Sequence, residues 1–143
     1  MKLAHIISAV ALVVAANVAN AGLVCTYTSE TVDSPATGKH YDYTKEVAGK
    51  QFAINFNGKD MTLSDGNGFK EAKFTREETF KNPQGQAMLS YHYFDNRVYN
   101  STNNTYGTRD RVLVKNTVSG NINYVEKLVG GNGVTVMLVA SCQ

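Results

Sequence analysis

The two cysteines of the chain, Cys25 and Cys142, constrain the fold more than any other feature of the sequence. They allow a single intramolecular disulfide, and such bonds persist in oxidising compartments. A bridge between them would close a loop that includes almost the whole folded chain, which would stabilise it by about 4 to 5 kcal/mol on the chain-entropy treatment. We therefore predict a Cys25–Cys142 disulfide and expect the first and last strands to lie side by side. Two free, buried thiols are the alternative.

Residues 1–21 have the features of a secretory signal peptide. Lys2 supplies a basic start, an apolar run follows over residues 6–16, and Ala19-Asn20-Ala21 has the small-x-small pattern that signal peptidase reads. An uncleaved membrane helix is disfavoured because the apolar run is shorter than the roughly 20 residues that span a bilayer. We predict cleavage after residue 21.

A lipid anchor on Cys25 is the other way in which the start of the chain could be processed. It is disfavoured because Leu23 and Val24 stand where lipoprotein processing needs small residues. The prediction is therefore a single exported β domain over residues 22–143, periplasmic or secreted.

Short segments of alternating apolar residues, separated by turns, follow along the rest of the chain. Phe52, Ile54 and Phe56 recur at period two, as in a half-buried strand. Asn57-Gly58 follows them and predicts a hairpin with a type I′ turn. A second hairpin is predicted at Ser119-Gly120-Asn121.

Residues 69–81 allow two interpretations. The segment contains good helix formers, but its apolar residues Phe69, Phe74 and Phe80 do not share one helical face. Two strand-like pieces, ended by a turn at residues 82–85, are favoured over a helix.

The spacing of these segments predicts an all-β fold of about 8–10 strands in an antiparallel meander, closed into a small barrel or stacked as a sandwich. The last strand, residues 134–140, is apolar on both faces in its middle, which favours a central position or burial between layers. A membrane barrel is disfavoured because the strands are short and several faces include Lys or Glu.

The charged residues are nearly balanced. The chain has 14 Lys and Arg residues against 12 Asp and Glu residues, and removal of residues 1–21 takes away Lys2 alone, which leaves a formal charge of +1. Nucleic-acid-binding domains instead concentrate basic residues on one face. We expect no nucleic-acid partner and no membrane span in the processed chain.

Motifs for metal or cofactor chemistry are absent from the sequence. His40 and His92 remain after the predicted cleavage, and neither stands at ligand spacing with another histidine, a cysteine or a carboxylate. The sequence has no nucleophile elbow, phosphate-binding loop or dinucleotide fingerprint. We expect no metal and no cofactor.

The best catalytic candidate is the stretch Tyr91-His92-Tyr93-Phe94-Asp95. On a strand, Tyr91, Tyr93 and Asp95 share one face and His92 lies on the other, so His92 and Asp95 cannot form a dyad. A base at His92 would need a partner from a neighbouring strand that the sequence does not name. We therefore predict no catalytic residues and no enzymatic activity.

A loop over residues 97–111 is the best candidate for binding. Tyr, Asn, Ser, Thr and Gly dominate it, and these residues give recognition loops rigid aromatic contact with adaptable hydrogen bonding. Flanking arginines add charge-assisted hydrogen bonds. A solvated hairpin loop is the alternative. The predicted binding residues are Arg97, Tyr99, Asn100, Asn103, Tyr106, Arg109 and Arg111.

The function predicted from the sequence is recognition of a protein, envelope or host partner through this loop. A barrel that holds a small molecule inside is the second hypothesis. A periplasmic enzyme or an inhibitor of a secreted hydrolase is less favoured. An inward-facing polar cluster would favour the small-molecule hypothesis, whereas a dry core with an ordered outward loop would favour protein recognition. The oligomeric state is not predicted.

Overall fold

The structure is a computed structural model that describes residues 22–143; the predicted signal peptide lies outside the described residues. Ten strands and one short helix make up this part of the chain. The elements in order are β1 (Leu23–Ser34), β2 (Lys39–Asp42), α1 (Thr44–Val47), β3 (Gln51–Asn57), β4 (Asp60–Ser64), β5 (Phe69–Ala72), β6 (Arg76–Lys81), β7 (Ala87–Asn100), β8 (Thr105–Asn116), β9 (Ile122–Val129) and β10 (Thr135–Cys142).

All ten strands belong to one antiparallel sheet, so the predicted all-β meander is confirmed. The strand order is β5-β4-β3-β1-β10-β9-β8-β7-β6, and β2 pairs with β1 beside this path. Strand β10 lies between β1 and β9, which confirms the predicted central position of the last strand.

The sheet curls into a half-barrel, and the predicted closed barrel is not confirmed. Strands β5 and β6 form the two ends of the path and do not pair. They are nevertheless joined by only residues 73–75, so the two edges meet at this corner. The Phe74 ring packs on Tyr91 and Tyr93 of β7, with centroid distances of 6.3 and 6.1 Å. The Phe74 N–H donates to Asp60 Oδ1 at 2.9 Å, and this hydrogen bond ties the β5–β6 connection to the start of β4.

Residues 69–81, for which two strands were favoured over a helix, form β5 and β6, as predicted. Every residue of β6 is exposed. Charged residues in an exposed edge strand discourage pairing with another chain, which accounts for the helix-like composition of a strand.

The turn after β3 differs from the prediction by one residue. Asn57 pairs with Asp60, so the two turn residues are Gly58 and Lys59 rather than Asn57 and Gly58. Gly58 has a φ of 61°, and neither Asn57 nor Lys59 has a positive φ. This is the pattern of a type II′ turn, with glycine first, and the predicted type I′ turn is wrong.

The predicted disulfide between Cys25 and Cys142 is confirmed. The two residues are cross-strand partners in β1 and β10, with a Cα–Cα distance of 4.0 Å. Reciprocal backbone hydrogen bonds between Val24 and Gln143, of 2.8 and 2.9 Å, lie next to them. The bridge is buried, and it is compatible with an exported protein.

The core lies on the concave face of the curled sheet. Tyr124, Phe52 and Ile54 are its largest buried side chains, and the disulfide packs in the same cluster. The Phe52 and Tyr124 rings meet edge to face at 5.0 Å. Tyr124, the third residue of β9, separates two ends of the concave face.

Candidate functional site

Each end of the concave face has a cavity, and β8 contributes to both. Leu113 and Lys115 line one cavity, whereas Arg109 and Arg111 line the other. These four residues alternate along β8 and therefore share its inward face. Tyr124, the partner of Leu113 on β9, is fully buried between the two cavities.

The first, which we call the apolar cavity, has a volume of about 410 Å³ and is half-enclosed. Its walls are mostly carbon, and its only two charged lining residues are lysines. The lining residues are Leu23, Phe56, Gly58, Lys59, Tyr91, Tyr93, Leu113, Lys115 and Ile122.

The two lysines of the apolar cavity are exposed at its rim. Lys59 follows Gly58 in the β3–β4 turn, and its Nζ lies 4.9 Å from the centre of the Phe74 ring and 4.0 Å from Glu77 Oε2. Burial, with smaller contributions from Tyr91 and Asp60, raises the pKa of Tyr93 to about 12. The cavity thus combines an apolar wall, a neutral phenol and cations at its edge.

The second, which we call the polar cavity, has a volume of about 110 Å³. Glu126 lines it and contacts both arginines: its Oε1 is 3.1 Å from Arg109 Nε, and its Oε2 is 3.5 Å from Arg111 Nε. Tyr124 donates its hydroxyl to Glu126 Oε2. The lining residues are Tyr27, Phe52, Leu63, Asp65, Lys70, Arg109, Arg111, Glu126 and Leu138.

Both tyrosines beside Glu126 are held neutral. Burial, and then the charge of Glu126, raise the pKa of Tyr27 to about 12, although Arg111 opposes this shift. The same two causes raise the pKa of Tyr124 strongly. The Tyr124 hydroxyl therefore acts as a hydrogen-bond donor to the carboxylate at physiological pH.

The structure divides the predicted 97–111 binding region into two separate places. Tyr99 and Tyr106 form an exposed cross-strand pair near the end of the β7–β8 hairpin, with ring centroids 5.3 Å apart. The Arg97 guanidinium lies over the Tyr106 ring at 4.4 Å. We call Arg97, Tyr99 and Tyr106 the hairpin tip.

The two predicted asparagines hold the turn that joins β7 to β8. Asn100 Oδ1 accepts a hydrogen bond from the Thr102 N–H at 2.9 Å, and Asn103 Oδ1 accepts one from Thr105 Oγ1 at 2.5 Å. Both side chains are exposed. Their oxygens satisfy local donors, which is the usual role of asparagine in turns.

Arg109 and Arg111 do not belong to the hairpin tip. Arg111 is only 6% exposed, and both arginines pair with Glu126 inside the polar cavity. The expectation that they flank an exposed loop fails because β8 is already regular at these positions and points them inward. The alternation of Arg109, Arg111 and Leu113 in the sequence was the available signal.

Other cavity residues were missed from the sequence. Lys59, Lys115 and Glu126 were not selected, because nothing local distinguishes them from solvated charges. Lys115 does continue the alternation of Arg111 and Leu113, which places it on the same face.

His92 has the partner that the sequence could not name. Its Nδ1 lies 3.0 Å from Asp110 Oδ2 on β8, and its Nε2 lies 3.2 Å from Ser90 Oγ and 3.4 Å from Glu78 Oε2. The order Ser–His–Asp is that of a hydrolase triad. However, Ser90 is only 3% exposed, and it lines neither the apolar nor the polar side of the concave face.

Among residues 22–143 no helix is long and apolar enough to cross a membrane. In the same described range, no cluster of three or more His, Cys, Asp or Glu residues is placed to bind a metal ion. No protein-family model matches the chain, and the searches of curated proteins and of solved structures found no similar protein.

Proposed function

We propose that this protein is an exported, non-enzymatic binding protein that holds a small amphipathic anion in the apolar cavity. The observation on which the proposal rests is a cavity of about 410 Å³ with carbon walls and two lysines at its rim. Ligand cavities have volumes of about 300 to 1,000 Å³ and are mostly apolar, with a few polar groups that orient the ligand. The periplasm or the extracellular space is the proposed location.

The distribution of charge around the cavity selects the class of ligand. An apolar chain gains about 0.8 kcal/mol for each buried CH₂ against walls such as Leu113 and Ile122. Lys59 and Lys115 are the charged lining residues; Glu77, 4.0 Å from Lys59 Nζ, is outside the lining, and no carboxylate lines the cavity. A ligand with an apolar body and a carboxylate or similar group therefore fits better than a cation or a sugar.

The inward polar cluster also supports the small-molecule hypothesis over protein recognition. Arg109, Arg111 and Glu126 face the interior, and this is the feature expected of a ligand-binding β-fold rather than of a scaffold with a dry core. The curled sheet leaves both ends of its concave face available to ligands.

Calorimetric titration with decanoate and with the uncharged decanol tests the proposal. Decanoate should bind more tightly, because each lysine contributes about 0.5 to 1 kcal/mol, and two together correspond to about fivefold to thirtyfold in Kd. The double variant Lys59→Gln/Lys115→Gln should bind decanoate no more tightly than decanol. Lys45→Gln, an exposed lysine on α1, is the matched control and should behave as the wild type. Absence of saturable binding of both compounds, or equal affinities in the wild type, would contradict the proposal.

Recognition of a protein partner by the hairpin tip is the second candidate function. Tyr99 and Tyr106 are 53% and 51% exposed, yet they are ordered by their mutual contact and by Arg97. Exposed tyrosine with arginine is typical of interface hot spots. Its test compares Tyr99→Ala/Tyr106→Ala with the wild type in stability and in partner binding.

A further inference from the structure

The charges that face the polar cavity do not balance. Lys70 and Asp65 form a pair of their own, with Nζ 3.8 Å from Oδ2. The two remaining cations, Arg109 and Arg111, share the single carboxylate of Glu126. The cavity therefore has a local excess of one positive charge, within a chain whose charges are otherwise nearly balanced.

The guanidinium groups also have donors that the protein does not satisfy. The Nε atoms of Arg109 and Arg111 are buried and have no hydrogen-bond partner among the described residues, although both lie near Glu126. Their approach to the carboxylate is therefore too oblique for a hydrogen bond. Buried charged groups are normally paired and hydrogen-bonded, and an unmet buried donor costs about 1 to 3 kcal/mol. Arg111, only 6% exposed, is the clearest case.

Glu126, by contrast, has no buried oxygen without a hydrogen-bond partner. It accepts the Tyr124 hydroxyl at Oε2. The unmet groups of the cavity are thus donors and positive charge. A cation would add to the excess charge, whereas an oxyanion would reduce it.

The space is suitable for one small oxyanion. A water molecule takes about 30 Å³ in the liquid, so the volume of about 110 Å³ equals that of three or four waters. The planar guanidinium fork matches the oxygens of a carboxylate, sulfate or phosphate.

We propose that the polar cavity is a second binding site, which takes one oxyanion group on the guanidinium groups of Arg109 and Arg111, beside the Glu126 carboxylate. Asp65 and Glu126 keep the net charge of the site low, so it binds a singly charged or small group rather than a polyanion. The site is at the opposite end of the concave face from the apolar cavity and does not depend on a ligand there. The oxyanion can be a free ion or the acidic group of a small metabolite. The two share the same oxyanion chemistry and differ only in whether a larger molecule is attached to it.

NMR titration of the oxidised, purified chain with sodium sulfate, phosphate or acetate tests this site. Sodium chloride keeps the ionic strength constant. We expect the Nε–Hε resonances of Arg109 and Arg111 to shift and saturate, while that of Arg97 stays in place. Saturation with sulfate or phosphate supports a free inorganic ion as the natural occupant, and saturation with acetate alone supports the carboxylate of a larger ligand. Shifts that do not saturate with any of the three anions would overturn the proposal.

Variants separate this site from the apolar cavity. Arg111→Gln should weaken anion binding at least about tenfold, as expected for loss of one charge-assisted contact, whereas the exposed Arg97→Gln is the matched control. Equal affinities in these two variants would overturn the proposal. If Arg111→Gln does not fold, the titration of the wild type remains decisive. Lys59→Gln/Lys115→Gln should retain anion binding, so failure of this site and failure of the apolar cavity give different results.

Discussion

Tyr124 and Glu126 show how single buried residues set the chemistry of the concave face. Tyr124 has no exposed surface, and its hydroxyl has one acceptor, the Glu126 carboxylate. Burial and the charge of Glu126 both disfavour the ionised phenol, which raises its pKa. A neutral phenol then holds the carboxylate in place between Arg109 and Arg111.

Alkaline titration should show the raised pKa values of three tyrosines on the concave face. The pKa values of Tyr27 and Tyr93 are raised from 10.0 to about 12, and that of Tyr124 is raised further in the same direction. Below pH 10 these tyrosines are neutral in both the folded and the unfolded chain, so their contribution to stability is complete. Between pH 10 and 12 only the unfolded chain loses these protons, so the free energy of unfolding falls as the pH rises.

Absorbance at 295 nm, measured in buffer and in denaturant, checks this prediction. Tyr27, Tyr93 and Tyr124 should ionise later in the folded chain than in the denatured chain. Tyr124→Phe should remove one late-ionising group and leave the others unchanged. Coincident titration curves in buffer and denaturant would show that these side chains are solvated.

At the scale of elements, the β7–β8 hairpin has a fixed base and a projecting end. Gly107 on β8 packs so closely on β9 that a Cβ there would clash with the Val129 carbonyl oxygen. A Cβ at Gly131, in the β9–β10 turn, would lie 2.7 Å from the Tyr106 carbonyl oxygen. Glycine at both positions lets the backbones approach each other. The base of the hairpin is therefore supported, while the hairpin tip faces solvent.

Removal of the two tip tyrosines should cost less stability than removal of a core tyrosine. Tyr99→Ala/Tyr106→Ala removes exposed rings, whose pairing with each other and with Arg97 is worth about 1 to 2 kcal/mol. The melting temperature, followed by circular dichroism, should fall by about 3 to 10 °C. Tyr93→Ala, in the core, should instead cost about 3 to 5 kcal/mol.

The same tip variant tests the second candidate function. If the hairpin tip binds a protein partner, Tyr99→Ala/Tyr106→Ala should lose a partner that the wild type co-purifies from the exported fraction. Tyr41→Ala, which removes an exposed tyrosine on β2, is the control and should keep it. Equal recovery with both variants, or a large loss of stability in the tip variant, would contradict this role.

At the scale of the whole molecule, the disulfide joins the middle of the sheet rather than its edges. Cys25 and Cys142 are separated by 117 positions in sequence, yet their strands, β1 and β10, are neighbours near the centre of the strand path. The bridge therefore ties together the two arms of the half-barrel, β3–β5 on one side and β6–β9 on the other. Loss of this tie acts mainly by allowing the unfolded chain more conformations.

Reduction of the disulfide should lower the free energy of unfolding by about 4 kcal/mol. The comparison uses oxidised and reduced wild-type chains in urea, because both thiols stay in place and no cavity is created. The midpoint should move to a clearly lower urea concentration in the reduced chain. Equal midpoints would show that the bridge adds no stability.

The sequence by itself determined the class of the fold and its covalent closure. Alternation of apolar residues is a local property of period two, so Phe52, Ile54 and Phe56 could be assigned to one strand face without knowledge of any neighbour. The chain has only two cysteines, so one intramolecular disulfide is possible, and that disulfide places the first and last strands together. For the same local reason, His92 could be placed on the face opposite Tyr91 and Tyr93.

Only the tertiary structure decided which side chains from distant strands meet. The pairing of Arg111 with Glu126 and that of His92 with Asp110 depend on cross-strand register. The alternation of residues within one strand does not determine its register with the next strand. The one-residue difference in the β3–β4 turn shows how sensitive register is to a single position. The curl of the sheet then decided that Arg109 and Arg111 close a cavity while Tyr99 and Tyr106, on the same hairpin, face solvent. Curvature and register arise from packing over the whole sheet, and for that reason the two cavities were not visible in the sequence.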